Sequence, residues 1–178
     1  MENLEKLRYP IGKFEMPIVV SSKQISEWIA VLESLPDKLS DLVMSLTDEQ
    51  LDTPYRPEGW TVRQLVHHIS DSHHHSYIRF KWAMTEETPL IKPYQEKEWS
   101  KLFDARTAPI QMSLNHLKAV HVKLVYFLRG LSPEDLGRRF RHPVGNTQTS
   151  LVENIGRYAW HSDHHFAHIQ NLIKKKGW

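Results

Sequence analysis

Four long stretches of helical hydrophobic periodicity, with no comparable set of alternating stretches, most narrow what this chain can fold into. Ser21 with Gln24 three residues on reads as a capping box and predicts a helix to about Ser45, bent at Pro36, which has no N–H for the ladder. Thr61 with Gln64 opens a second helix, to about Met84. A third spans roughly Ile110 to Leu128 and ends at Gly130. Ser150 with Glu153 opens the fourth, whose terminal lysines suit the negative end of the helix dipole before Gly177 stops it. The pattern predicts an all-α four-helix bundle with long capping loops.

The connections are of two kinds. Thr47 with Gln50, and Ser132-Pro133-Glu134-Asp135, each start a short helical turn, the second ahead of "HPVGN", a turn or small hairpin. Residues 86–109 are long for a bundle connection and rich in proline and aromatic residues, so they are expected to pack as a cap over one end. Within them Tyr94, Glu98 and Trp99 are candidates to wall a pocket, aromatic packing being the alternative. Residues 1–20 form an N-terminal arm that lies on its own bundle or reaches to another subunit. Residues 1–178 are expected to form a single domain, large enough to bury a core without a structural metal.

Composition removes several function classes. Lys and Arg total 23 against 21 Asp and Glu, too even a balance to mark a nucleic-acid partner. No apolar run approaches the roughly 18 residues of a membrane span, and the N-terminus has no apolar signal core, so a cytoplasmic protein is expected. There is no cysteine, which excludes disulfides, thiolate ligands and a cysteine nucleophile. Twelve histidines remain as the main chemical resource.

Four of them lie in "WHSDHHFAHI", residues 160–169. At about 100° per residue, Leu151, Ile155, Tyr158, Ser162, Phe166, Ile169 and Ile173 share the inward face of the last helix. His161, His165 and His168 line one edge of it, while His164 points further out. Residues four apart stand one turn above each other, so His161 and His165 form the natural chelating pair. On the second helix His68 flanks the buried stripe, His67 and Asp71 point away from it, and His74 and His75 read as surface. His73 falls nearest the apolar centre, where a hydrogen-bonded core histidine is the plainer account. Periodicity alone leaves His68 and His73 competing as a third ligand. Three neutral imidazoles with an open fourth position are the donor set of a catalytic zinc site.

"GWTVRQLVHHISD" resembles the first motif of the DinB-like metalloprotein superfamily, whose ligand histidine follows its tryptophan by eight positions; from Trp60 this is His68. "WHSDHHFAHI" resembles the second motif, whose ligands correspond to His161 and His165. Over nearly the whole chain, through "LRYPIGKF", "LDTPYRPEGWTVRQLVHH" and "YIRFKWA", the likeness is to the YfiT-type metal-dependent hydrolases. The resemblance implies a four-helix bundle, a homodimer, and one divalent metal per subunit, zinc or else nickel, held by His68, His161 and His165 and acting on a small-molecule substrate. Other superfamily members are thiol S-transferases of the bacillithiol type, which is the alternative activity; a non-catalytic metal or small-ligand binding protein is a second. Where many members carry Arg-Gly-Gln after the paired histidines, this chain has "FAH". His168 thus takes the glutamine position, as a hydrogen-bond partner behind a ligand or a proton relay, and no general base is readable.

Overall fold

The computed structural model describes residues 4–178; residues 1–3 of the arm lie outside the described residues. A short helix α1 (Leu4–Arg8) in the arm, unsignalled by the sequence, precedes α2 (Ser22–Val43), α3 (Asp48–Leu51) and α4 (Val62–Thr85). Two short helices, α5 (Glu96–Trp99) and α6 (Phe103–Thr107), lead to α7 (Ile110–Arg129) and α8 (Pro133–Gly137). The hairpin β1 (Arg139–His142) and β2 (Thr147–Ser150) then feeds α9 (Leu151–Lys176). The four long helices are the expected four-helix bundle. Thr61 and Gln64 make a full capping box on α4, the Ser21 and Ser150 side chains accept from the Gln24 and Glu153 N–H groups, and Gly177 ends α9 in the left-handed conformation. α2 runs through Pro36 as one helix. No described helix is long and apolar enough to cross a membrane.

The core has two halves. One gathers Leu39 and Val43 of α2, Val62 to Ile69 of α4, Ile110 to Leu117 of α7, and Ile169 and Leu172 of α9. The other gathers Ile29 and Leu32, Phe80, Leu124 to Leu128, and Leu151 to Tyr158 from the same four helices. Reading each helix from one half to the other gives its direction: α4 and α7 run one way, α2 and α9 the other. α2 packs on α9 and α7, and α4 packs on α7 and α9, so the consecutive pairs α2/α4 and α7/α9 sit diagonally.

That order corrects the expected role of residues 86–109. Because α4 and α7 are parallel neighbours, the chain must return the full length of the bundle between them, and the segment runs along the flank rather than over one end. It is pinned at one end by Ile91 N–H to the Arg141 carbonyl at 3.0 Å and further along by the Gln64 side-chain amide to the Ser100 carbonyl at 2.7 Å. The arm lies on its own bundle: Trp160 Nε1 donates to the Gly12 carbonyl at 3.1 Å, and Phe14 packs on the same indole.

α9 approaches α2 closely at Gly156, where a Cβ would stand 2.9 Å from the Trp28 ring. Gly156→Val should therefore lower unfolding free energy by about 1–3 kcal/mol through overpacking, outweighing the lost flexibility of glycine. Urea denaturation measures it, and an unchanged midpoint would show that Trp28 gives way freely.

Candidate metal centre

Between the two apolar halves the helices turn polar side chains inward. Ser70, Ser72, His73 and Ser76 come from α4, His121 from α7, and Asn154, Ser162, His164, His165 and His168 from α9, all buried. Most find partners: Asn154 donates to Ser76 Oγ at 3.1 Å, and Ser162 Oγ to the Tyr158 carbonyl at 2.7 Å.

The register of α4 is set at its start. The buried Arg63 guanidinium pairs with Asp48 and Asp52, each at 2.7 Å, and donates to the Ala108 carbonyl at 3.2 Å, tying α3 and the entry to α7 onto the first turn of α4. His68 follows a turn later and meets the i,i+4 pair of α9. One ring nitrogen each of His68, His161 and His165 lies within 4.8 Å of the others. His161 Nε2 and His165 Nε2 are 3.0 Å apart, and the His68 ring centroid is 5.4 and 5.0 Å from theirs. His68 Nδ1 meets the Tyr94 hydroxyl at 3.1 Å, which leaves its Nε2 to face the pair.

Burial holds these rings neutral. It lowers His68 to about 4, aided by the nearby His164, and holds His161 and His165 well below the ordinary imidazole value, with the neighbouring imidazoles adding to it. Burial also pushes the Tyr94 phenol up, so it remains a neutral hydroxyl. The donor set suits a divalent ion: three neutral imidazoles from two helices converge, one ring nitrogen of each within 4.8 Å of the others.

His73 does not join the trio. It is fully buried and stands behind His161, with Nε2 at 3.1 Å from His161 Nδ1, and its own Nδ1 is 2.9 Å from His121 Nε2. His121 Nδ1 in turn meets the Leu32 carbonyl. His121 escaped the sequence reading, although its place on the inward stripe of α7 between Leu117 and Leu124 was a usable signal.

Three side chains lie elsewhere than their helical angle suggested. His164 is buried, because Trp160 stacks on it at 4.5 Å and Tyr9 of the arm covers it. It forms a second group with His165 and His168, its Nε2 at 3.2 Å from that of His168, all on one helix. His168 therefore stands outside the first trio and packs on Tyr55 at 4.3 Å. His67 is buried against the start of α7, bonding Ser113 Oγ at 2.7 Å and the Ala108 carbonyl at 3.2 Å. Asp71, expected at the surface, is partly buried, which raises its carboxyl to about 6 with help from Asp104.

A cavity of about 700 Å³ opens over His68, His165 and His168, walled by Tyr55 and Trp60, with Arg8 and Arg56 among its lining. Of the crossover residues expected there, Tyr94 holds His68 and stacks on His75 at 4.4 Å, with Trp99 5.0 Å from Tyr94, while Glu98 pairs with Lys101, which itself lines the cavity. A groove of about 730 Å³ between α2 and α7 is a poorer candidate, because its charges already pair with each other, Lys118 with Asp37 and Arg129 with Glu33.

The arrangement has close counterparts. The DinB superfamily model matches residues 23–169. A protein of Oceanobacillus iheyensis is 50% identical over 96% of this chain and 98% of its own length, and YfiT of Bacillus subtilis is 49% identical over 97% of each. Both bear the name "Putative metal-dependent hydrolase". The structure of the Bacillus subtilis protein, described as having "an unusual four-helix bundle topology", superposes with a TM-score of 0.95 at 48% identity, covering 97% of this chain and 99% of that one. The chain thus belongs to the DinB superfamily and is YfiT-like over nearly its whole length.

Proposed function

We propose that this protein is a metal-dependent hydrolase of a small-molecule substrate, with one divalent ion held by His68, His161 and His165, zinc in first place and nickel as the alternative. The observation that carries the reading is the convergence of three neutral imidazoles from two helices, two of which, His68 and His165, line an open cavity. His68, His161 and His165 would hold such an ion, which would supply Lewis acidity and make water a nucleophile near neutral pH. The chain's own part is to keep the imidazoles neutral, hold His68 through Tyr94, and offer the substrate aromatic walls and the Arg8 and Arg56 cations. The His164/His168 pair is the lesser seat, since it shares His165 and draws all its ligands from one helix.

Replacing His68, His161 or His165 by Ala should cut metal content at least tenfold by elemental analysis, while His74→Ala, at the exposed His74–His116 contact, should leave it near wild type. Retained metal in all three variants would move the centre elsewhere. A loaded protein that consumes thiols with electrophiles, and cleaves nothing with water, would reassign the reaction to S-transfer.

The pH dependence follows from burial. His121 and His164 are lowered to about 4 and His168 to about 3, mainly by burial, whereas the unfolded chain titrates near 6.5. Between these values the unfolded state binds more protons, so stability is full above about 6.5 and falls as pH drops toward 4. The metal-free protein should lose melting temperature steadily across that window. Metal content should hold below pH 6, the point at which exposed imidazoles would release it, and fall as pH nears 4. A flat melting temperature from pH 7 to 4 would contradict the neutral belt.

We also propose a homodimer, supported by the family resemblance and by the exposed Ile18 and Val19 of the arm. Light scattering at micromolar concentration should report about twice the 21.0 kDa chain mass; a monomer would refute it.

A further inference from the structure

We infer that His73 and His121 are positioning residues whose hydrogen bonds, anchored on the Leu32 carbonyl, fix His161 as the tautomer that turns its Nε2 lone pair to the site. The inference rests on the reading of His161 as a metal ligand. Its logic begins at the far end of the chain of contacts. A backbone carbonyl only accepts, so His121 Nδ1, which meets the Leu32 oxygen, must carry the hydrogen. A neutral ring protonated on Nδ1 has a bare Nε2. His121 Nε2 therefore accepts, at 2.9 Å, from His73 Nδ1–H. That leaves His73 Nε2 bare, and it accepts from His161 Nδ1–H at 3.1 Å. His161 is left with its lone pair on Nε2, the atom 3.0 Å from His165 Nε2.

The order runs one way only. Reversing every hydrogen would set a bare His121 Nδ1 against the Leu32 carbonyl, two acceptors in contact without water. Burial supports the neutral rings this requires, His73 and His121 both being almost wholly enclosed. Two consequences follow. Because the chain ends on a carbonyl, which takes up no proton, it orients His161 and does not conduct protons away from the site. And because its members are neutral where a carboxylate often backs a metal-binding histidine, no anionic charge is passed to His161, so an ion there would keep more of its positive charge for the open position.

The test uses the full-length protein. In the metal-free wild type, long-range ¹⁵N–¹H spectra should show His121, His73 and His161 all protonated on Nδ1. His121→Phe preserves an aromatic ring but removes both nitrogens, so zinc affinity, measured by competition with a chromophoric chelator, should fall about 10–100-fold. His121→Gln, whose side-chain oxygen can accept from His73, should recover part of that loss. A merely structural role would lower the metal-free melting temperature in both variants and leave the affinity of the folded fraction unchanged, which would overturn the inference. Should His121→Phe fail to fold, the wild-type spectra still decide, since a hydrogen on His161 Nε2 also overturns it. Nδ1 protonation in a wild type that binds no zinc or nickel would support the tautomer order while removing the metal reading.

Discussion

The structure depends on keeping a belt of imidazoles buried and uncharged at the middle of a helical bundle. Charging one would leave a cation between two apolar clusters, and leaving one unpaired would cost about 1–3 kcal/mol in lost solvation. The bundle meets this demand with partners. His121 leans on a backbone carbonyl, His73 on His121, His161 on His73, and His68 on a phenol. The ring nitrogens of the belt without partners, His164 Nδ1 and His165 Nδ1, belong to residues in the candidate ligand groups.

The order of the helices follows from the same centre. α4 and α9 must face each other for His68 to meet the pair on α9, and α7 must stand behind α4 for His121 to reach His73. With α4 and α7 parallel, their connection has to travel the length of the bundle, and in doing so it lays Tyr94 against His68. A segment imposed by topology becomes the wall and the second partner of the centre. The arm performs a similar service on the other side, where Tyr9 packs against His164.

Much of this was legible beforehand because it is local. The caps at Ser21, Thr61 and Ser150 and the glycine stop at 177 depend on hydrogen bonds within a few residues, and the four long helices follow from them. The i,i+4 spacing of His161 and His165 is a property of any helix. Helical angle failed at His67 and His164, since a wheel measures direction from the helix's own apolar stripe and takes no account of a neighbour covering another side. It also left His68 and His73 unresolved, and the resemblance to known motifs, rather than periodicity, favoured His68.

By itself, then, the sequence determined the helices, their ends, the lack of cysteine side chains and the i,i+4 spacing of His161 and His165, all matters of backbone hydrogen bonding and composition. Only the tertiary structure decided that α2 and α4 lie diagonally, that the long connection runs along the flank, that His68 meets His161 and His165 while His73 stands behind His161, and that His121 reaches His73. Those outcomes depend on which faces of separate helices meet, and a difference of one helical position, about 100°, moves a side chain from the cavity to the core. The physical reason is that packing is a collective choice among helices, whereas a cap is settled within one turn.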